Sequence, residues 1–474
     1  MSRFAFLASE WNNLIICSYL SYIMKIVRKS LLMLAVLHCT AGFGELPNAI
    51  EIAPKMYPGW NLGNTLEGGG TDNVYTNNGG LGAEKAWQGT TTTQAIIDFV
   101  AAQGFKSVRL PAAWVMGHII DGEEGMTIDL QWLARVKEIV DYCINANLYV
   151  LLNDHWDGGW IQGTFKKDIS AATVEKNCEK MRRLWSQIAE AFRDYDEHLL
   201  FAGLNEPEAE TEAQTRVLMT YEQAFIDAVR ATGDNNASRI LVVQGPNTSI
   251  ELSSKWVDMN WFTDPAKHAL MIEVHYYSPP QFTGVWEGPN GDEPYYFWGA
   301  ANHVPSGSWA KYNCSWGEEA YVREQFDMMK KSFTDKGYPV ILGEYGANWR
   351  EFSNTSIQKK HDASIRLFHK TINEEAIRRG IIPYVWDINN PNRYGTGGIM
   401  CIIDRSKPAV FDQNSLDGIM EGAAAAWGGP TASIRHTVLT TSQSADQYYT
   451  LTGQRVAAGK KGLQITDGKK IIRK

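Results

Sequence analysis

Leu199-Leu200-Phe201-Ala202-Gly203-Leu204-Asn205-Glu206-Pro207 is an apolar run that ends abruptly in an amide, a carboxylate and a proline. Apolar residues without alternation suit a strand covered on both faces, as in the parallel sheets of α/β proteins. The polar pair at the end of the run falls where such folds place reacting groups. A carboxylate so placed calls for a partner elsewhere in the chain.

Seven further runs have the same character: Tyr57 to Leu62, Ser107 to Pro111, Tyr149 to Asn153, Ile240 to Gly245, Ala269 to Tyr276, Val340 to Gly343 and Ile382 to Asp387. Between most of them lie segments of helical periodicity, including Thr93 to Gln103, Leu130 to Asn147, Ala171 to Tyr195, Glu212 to Thr232, Gly317 to Lys336 and Asp362 to Arg379. Strands alternating with helices in this number predict an α/β fold, a (β/α)8 TIM barrel. A doubly wound open sheet is the alternative. Against it, no Gly-rich phosphate turn follows the first run, and polar residues close nearly every run instead of gathering at one switch point. Two connections are long. Thr65 to Thr92 is rich in Gly and Asn, and Ser278 to Trp316 carries Trp286, Tyr295, Tyr296, Phe297, Trp298, Trp309 and Tyr312. Loops of this length are commonly functional, and the aromatic one is expected to wall a cleft.

Composition narrows the partner. With 45 Lys and Arg against 53 Asp and Glu, the formal charge is -8, which gives no general attraction to nucleic acid or anionic membranes. The 17 Trp and 20 Tyr supply flat apolar faces of the kind that stack on sugars. No Cys/His cluster has metal spacing, and neither metal nor cofactor is expected. A monomer is expected.

Both ends differ from the middle. Met24-Lys25-Ile26-Val27-Arg28-Lys29, then Ser30 to Val36 and the small residues Thr40-Ala41-Gly42, read as a signal peptide beginning at an internal Met. Residues 1–45 are therefore expected to comprise an upstream extension plus a leader, with Met24 as the start, and the protein to be secreted. Cys39 offers a lipoprotein alternative, disfavoured by His38. Residues 46–427 form the expected catalytic barrel. Gly428-Gly429-Pro430 breaks the chain, and 428–474 form a β-like tail. Tyr449 to Val456 and Gly468 to Lys470 resemble the C-terminal segments of secreted Bacteroidetes proteins, which implies contact with cell-surface sorting machinery. A small β appendage is the plainer reading. Cys143 and Cys178 sit on apolar helix stripes and are expected as buried thiols, whereas Cys314 and Cys401 lie in loops and are free to pair.

The residues closing the runs have a common purpose. They are Asn61 and Asn64, Arg109, His155, Asn205 and Glu206, His275 and Tyr277, Glu344, and Trp386. In a barrel these ends converge, so Glu206 after the fourth strand faces Glu344 after the seventh. Two facing carboxyls without metal ligands suit glycoside hydrolysis, in which one protonates the leaving oxygen and the other attacks or activates water.

The chain resembles glycoside hydrolase family 5, the cellulase family, through Gly59-Trp60-Asn61-Leu62-Gly63-Asn64-Thr65-Leu66-Glu67, Val108-Arg109-Leu110-Pro111 with Trp114, Leu204-Asn205-Glu206-Pro207, His275-Tyr276-Tyr277, Leu342-Gly343-Glu344-Tyr345-Gly346 and Val385-Trp386-Asp387. The resemblance implies a retaining endo-β-1,4-glucanase acting by double displacement on cellulose-like or mixed-linkage glucans. Glu206 would be its acid/base, supported by His275, and Glu344 its nucleophile, supported by Tyr277, with Arg109 and His155 beside them and Asn205 on the substrate 2-hydroxyl. Substrate contacts are expected from Trp386, Asn61, Asn64, Glu67, Trp114, Trp156 and Trp160. Trp156 stands where a second His often follows His155. Arg109 is expected to hold Glu344 ionised, with Glu206 pushed upward by the neighbouring carboxylate. Xyloglucanase and β-mannanase are the alternatives within the family, and a non-catalytic glycan-binding barrel is the remote one.

Overall fold

The structure, a computed structural model, describes residues 46–69, 79–284, 293–392, 395 and 398–426, with the backbone of four short strands between 448 and 473. The leader with Met24 and Cys39, Trp286, and the Gly428-Gly429-Pro430 break lie outside the described residues. The chain divides into two units, Met1–Gly428 and Gly429–Lys474.

In the first unit eight parallel strands close into a barrel: β1 (Gly59–Asn61), β2 (Ser107–Leu110), β3 (Tyr149–Asn153), β4 (Leu199–Ala202), β5 (Leu241–Gln244), β6 (Leu270–Tyr276), β7 (Val340–Tyr345) and β8 (Ile381–Val385). Each falls within or beside an apolar run of the sequence. Single helical turns left unnumbered, one helix follows each strand: α1 (Gln94–Ala102), α2 (Leu130–Asn145), α3 (Ala171–Ala191), α4 (Glu212–Ala231), α5 (Ile250–Trp256), α6 (Glu319–Ser332), α7 (Thr355–Ile377) and α8 (Gln413–Ala426). Helix α7 starts before the expected Asp362, because the Asn354 side chain accepts from the backbone N–H groups of Ser356 and Ile357 and caps the helix there. A short ribbon, β9 (Ile403–Asp404) with β10 (Ala409–Val410), follows β8.

The absence of alternation in the strands has a direct cause. Leu151, Leu200, Val242, Met271, Ile341 and Ile382 fill the barrel interior, and Met56 and Ile52 pack with them. Their strand neighbours Val150, Leu152, Phe201, Val243, Ile272 and Leu342 pack outward in the larger core beneath the helices. Both faces are apolar because both are covered. The register shifts at Val274/His275 on β6 and between Leu342 and Tyr345 beside β7, and it pairs His275 with Glu344. Irregularities of this kind re-aim side chains at the rim of a barrel.

The second unit is described by backbone alone, as a four-stranded antiparallel sheet of β11 (Tyr448–Tyr449), β12 (Arg455–Val456), β13 (Gly462–Thr466) and β14 (Lys469–Arg473).

Candidate active site

Four strands deliver the charged centre: β2, β6 and β7 directly and β4 through the loop that follows it. Arg109 on β2 is fully buried, and its Nη1 donates to Glu344 Oε1 on β7 at 3.0 Å and to Asn61 Oδ1 at 3.1 Å. Its Nη2 donates to Asn205 Oδ1 at 2.7 Å. The guanidinium thus joins the residue before Glu206 to Glu344. The Tyr277 hydroxyl donates to the other oxygen, Glu344 Oε2, at 3.0 Å. His275 Nδ1 meets Glu206 Oε1 at 2.7 Å and lies 3.8 Å from Glu344 Oε2. One oxygen of Glu206, one of Glu344 and a nitrogen of His275 all lie within 4.8 Å of one another. His155 Nε2 stands 4.0 Å from Glu344 Oε1, and its ring is parallel to Trp386 within 6°, centroids 5.8 Å apart.

Beneath this layer lies a carboxylate that the sequence reading passed over. Glu273 is fully buried on β6, its Oε1 2.9 Å from Arg109 Nε and 3.2 Å from His275 Nε2, and its Oε2 accepts from Gln244 Nε2 at 2.7 Å. A signal existed, since a charge stands inside the apolar run Met271-Ile272-Glu273-Val274-His275. Residues two apart on a strand share a face, so Glu273 belonged with His275.

The electrostatics differ from expectation in one respect. Burial pushes Glu206 up, but the hydrogen bond and charge of His275 together with Arg109 outweigh it, so this carboxyl lies below its ordinary value. Burial raises Glu344 by more than His275 and Arg109 lower it, with Glu206 adding repulsion. The expected order is thereby reversed in the free enzyme. The physical reason is partnership: Glu206 holds the imidazole at 2.7 Å, whereas Glu344 lies 3.8 Å from it and is repelled by Glu206. Burial alone would lower His275, but Glu344, Glu206 and Glu273 raise it to about 9, an imidazolium at neutral pH. For His155, burial and the nearby cations act together and keep it neutral.

Several residues expected at the substrate face inward instead. Trp114 is fully buried and donates to the Asn153 carbonyl at 2.9 Å. Asn61 is fully buried, donating to the carbonyls of Gly343 at 2.9 Å and Val385 at 3.2 Å, which ties β1 to the strand of Glu344. Glu67 is 1% exposed and accepts the backbone N–H groups of Asn64 and Thr65, shaping its own loop. Trp160 is 6% exposed and donates to Asp154 Oδ2 at 3.0 Å. Trp114, Asn61 and Glu67 thus support the site from within, whereas Trp160 is as exposed as Glu344. Asn64 and Trp386 are part-exposed, and Trp156 is 42% exposed beside His155.

Part of the aromatic connection after β6 packs upon itself. Tyr296 and Phe297 pack with Phe352 and Ile357, and with Trp309 and Tyr312, into a small core of their own. Trp298 is fully buried and donates to the Gly317 carbonyl. Cys143, Cys178, Cys314 and Cys401 are buried and free, so Cys314 and Cys401 do not pair.

Residues 69–392 match the model of the cellulase family, glycosyl hydrolase family 5. Endoglucanase A of Clostridium longisporum is 33% identical over 387 residues, which is 80% of this chain and 66% of that protein, so the chain spans slightly less than two thirds of this relative. A xyloglucan-specific β-1,4-glucanase from a ruminal metagenomic library, solved with XXLG, is 46% identical with a TM-score of 0.73, covering 82% of this chain and 99% of that one. The Bacteroides ovatus xyloglucanase, solved with a XXXG heptasaccharide, is 28% identical with a TM-score of 0.67, covering 81% of this chain and 80% of that one.

Proposed function

Because the chain belongs to glycosyl hydrolase family 5, the cellulase family, we propose that it is a retaining endo-β-1,4-glucanase in which Glu344 is the nucleophile and Glu206 the acid/base. The observation that carries this reading is the closeness of the two carboxylates, each with its own cationic partner. In retaining enzymes the carboxyl groups stand about 5–5.5 Å apart, too close to admit the water that an inverting enzyme activates. Glu344, oriented by Arg109 on one oxygen and Tyr277 on the other, attacks the anomeric carbon and forms a glycosyl ester. Glu206 passes a proton to the departing glycosidic oxygen. Its store of protons is the His275 imidazolium at 2.7 Å, which lets a carboxylate of low pKa act as an acid once sugar excludes water. In the second half Glu206 takes a proton from water, which attacks the ester and restores Glu344.

Xyloglucan is a second reading of the substrate, favoured by the 46% identical xyloglucan-specific relative. Reducing-end release and viscosity on carboxymethylcellulose, mixed-linkage glucan, xyloglucan and mannan test both. Internal cleavage of a β-1,4-glucan backbone is expected, with viscosity falling ahead of reducing ends. Activity on mannan alone, or on none of the four, would contradict the proposal. We also propose export from the cell, a reading supported by the leader pattern from Met24 and by the tail's likeness to surface-sorted segments.

A further inference from the structure

We propose that Glu273 is a positioning residue of the hydrolytic reaction, a single buried carboxylate that anchors both Arg109 and His275 and so sets the two catalytic glutamates relative to each other. The inference rests on the roles assigned above to Glu206 and Glu344.

Each cationic partner of the catalytic pair has a second contact, and both second contacts are the same oxygen. Glu273 Oε1 lies 2.9 Å from Arg109 Nε and 3.2 Å from His275 Nε2. Arg109 spends its other nitrogens on Glu344, Asn61 and Asn205, and His275 spends Nδ1 on Glu206. Glu273 therefore lies on the path linking the support of one carboxylate to the support of the other. Its second oxygen is held by Gln244 Nε2 at 2.7 Å, and Gln244 Oε1 in turn accepts the Leu204 backbone N–H at 2.7 Å, immediately before Asn205-Glu206.

Glycine placement shows that the barrel makes room for this group. A Cβ on Gly343, the residue preceding Glu344, would lie 1.8 Å from Glu273 Oε1. No side chain fits there while the carboxylate stays where it is. The neighbouring tier repeats the device: a Cβ on Gly203 would lie 2.3 Å from Glu222 Oε2, and Glu222 Oε1 accepts the Gln244 backbone N–H at 2.9 Å. An unpaired charge at this depth is costly, so an anion that faces two cations and an amide is tolerated only because they are there.

The groups facing Glu273 decide the sign of its effect. They are Arg109 from β2, Gln244 from β5, His275 on its own strand, Tyr384 from β8, and, at longer range, Glu206 and the Glu222 of α4. His275 also faces Glu344. Removing the Glu273 charge takes one of three anions from His275, so the imidazolium gives up its proton at lower pH. Arg109 meanwhile loses one of its two counter-ions, and its hold on Asn205 and Glu344 loosens.

The test compares wild type, Glu273→Gln and Glu273→Asp in kcat and KM across pH on a soluble β-glucan. Glu273→Gln is expected to lower kcat about 10- to 100-fold with KM little changed, and to move the alkaline limb of kcat/KM toward acid by about one pH unit. Glu273→Asp keeps the charge and is expected to retain the wild-type limb. Should Glu273→Gln fail to fold, nitrogen-15 spectra of the wild-type histidines carry the test, with one imidazole expected to stay doubly protonated past pH 8. An unmoved alkaline limb in a folded Glu273→Gln protein, or every histidine neutral by pH 7.5 in wild type, overturns the proposal. Glu344→Gln run alongside separates the two readings: its inactivity upholds the nucleophile even if Glu273 proves inert, and its activity refutes the nucleophile directly.

Discussion

Glu206 and Glu344 arrive from opposite sides of the barrel, after β4 and within β7, yet an oxygen of one lies within 4.8 Å of an oxygen of the other. On the proposed roles, a sugar bound across that gap would present its anomeric carbon to Glu344 and its glycosidic oxygen to Glu206. Two inversions at one carbon restore its configuration. Proton NMR of a β-glucan digest is therefore expected to show the β-anomer first, with the α-anomer appearing only by mutarotation. Prompt α-anomer would mean a single displacement.

Loss of the acid is expected to depend on the leaving group. General acid catalysis contributes about 10²–10⁴-fold, and a leaving group that departs without a proton escapes that loss. Glu206→Gln is expected to lose about that factor on polysaccharide and far less on an aryl cellobioside of low leaving-group pKa. Equal losses on both substrates would remove Glu206 from the acid role.

The tryptophans divide by burial. Trp114 is fully buried in the main core, so Trp114→Ala is expected to cost about 3–5 kcal/mol of stability. Trp156 is 42% exposed, and Trp156→Ala is expected to leave stability within about 0.5 kcal/mol while raising KM. Denaturant unfolding beside Michaelis kinetics separates the two. A rise in KM without loss of stability in Trp114→Ala would mean that this side chain reaches the substrate after all.

Protonation of His275 links pH to stability as well as to rate. Its folded value is raised to about 9 from 6.5, so the stabilisation it brings is complete below 6.5 and is lost as pH rises through 9. Melting temperatures of wild type are expected to fall across that window more steeply than those of His275→Asn. Parallel slopes would show that the imidazole is already neutral.

All eight strands were legible because a strand covered on both faces is mostly apolar without alternation, and such runs recur between segments of helical periodicity. Ends were less so: the run reads as Leu199 to Asn205, but pairing in β4 stops at Ala202, and Asn205 and Glu206 sit in the loop beyond. Sequence position brought Asn61, Trp114 and Glu67 to the site without saying which way they face, and all three turn inward to carbonyl or backbone N–H partners. Pairing between side chains was visible in part. The resemblance implied His275 as the support of Glu206 and Tyr277 as that of Glu344, and both bonds are present, whereas no local pattern announced that Arg109 and His275 share Glu273.

The central claim is that Glu344 becomes covalently glycosylated. Incubation with a 2-deoxy-2-fluoro cellobiosyl fluoride, followed by peptide mass spectrometry, tests it most directly. The fluorosugar is expected on the peptide containing Leu342-Gly343-Glu344-Tyr345, at Glu344. A label on Glu206 or any other residue, or none after inactivation is complete, would contradict the account.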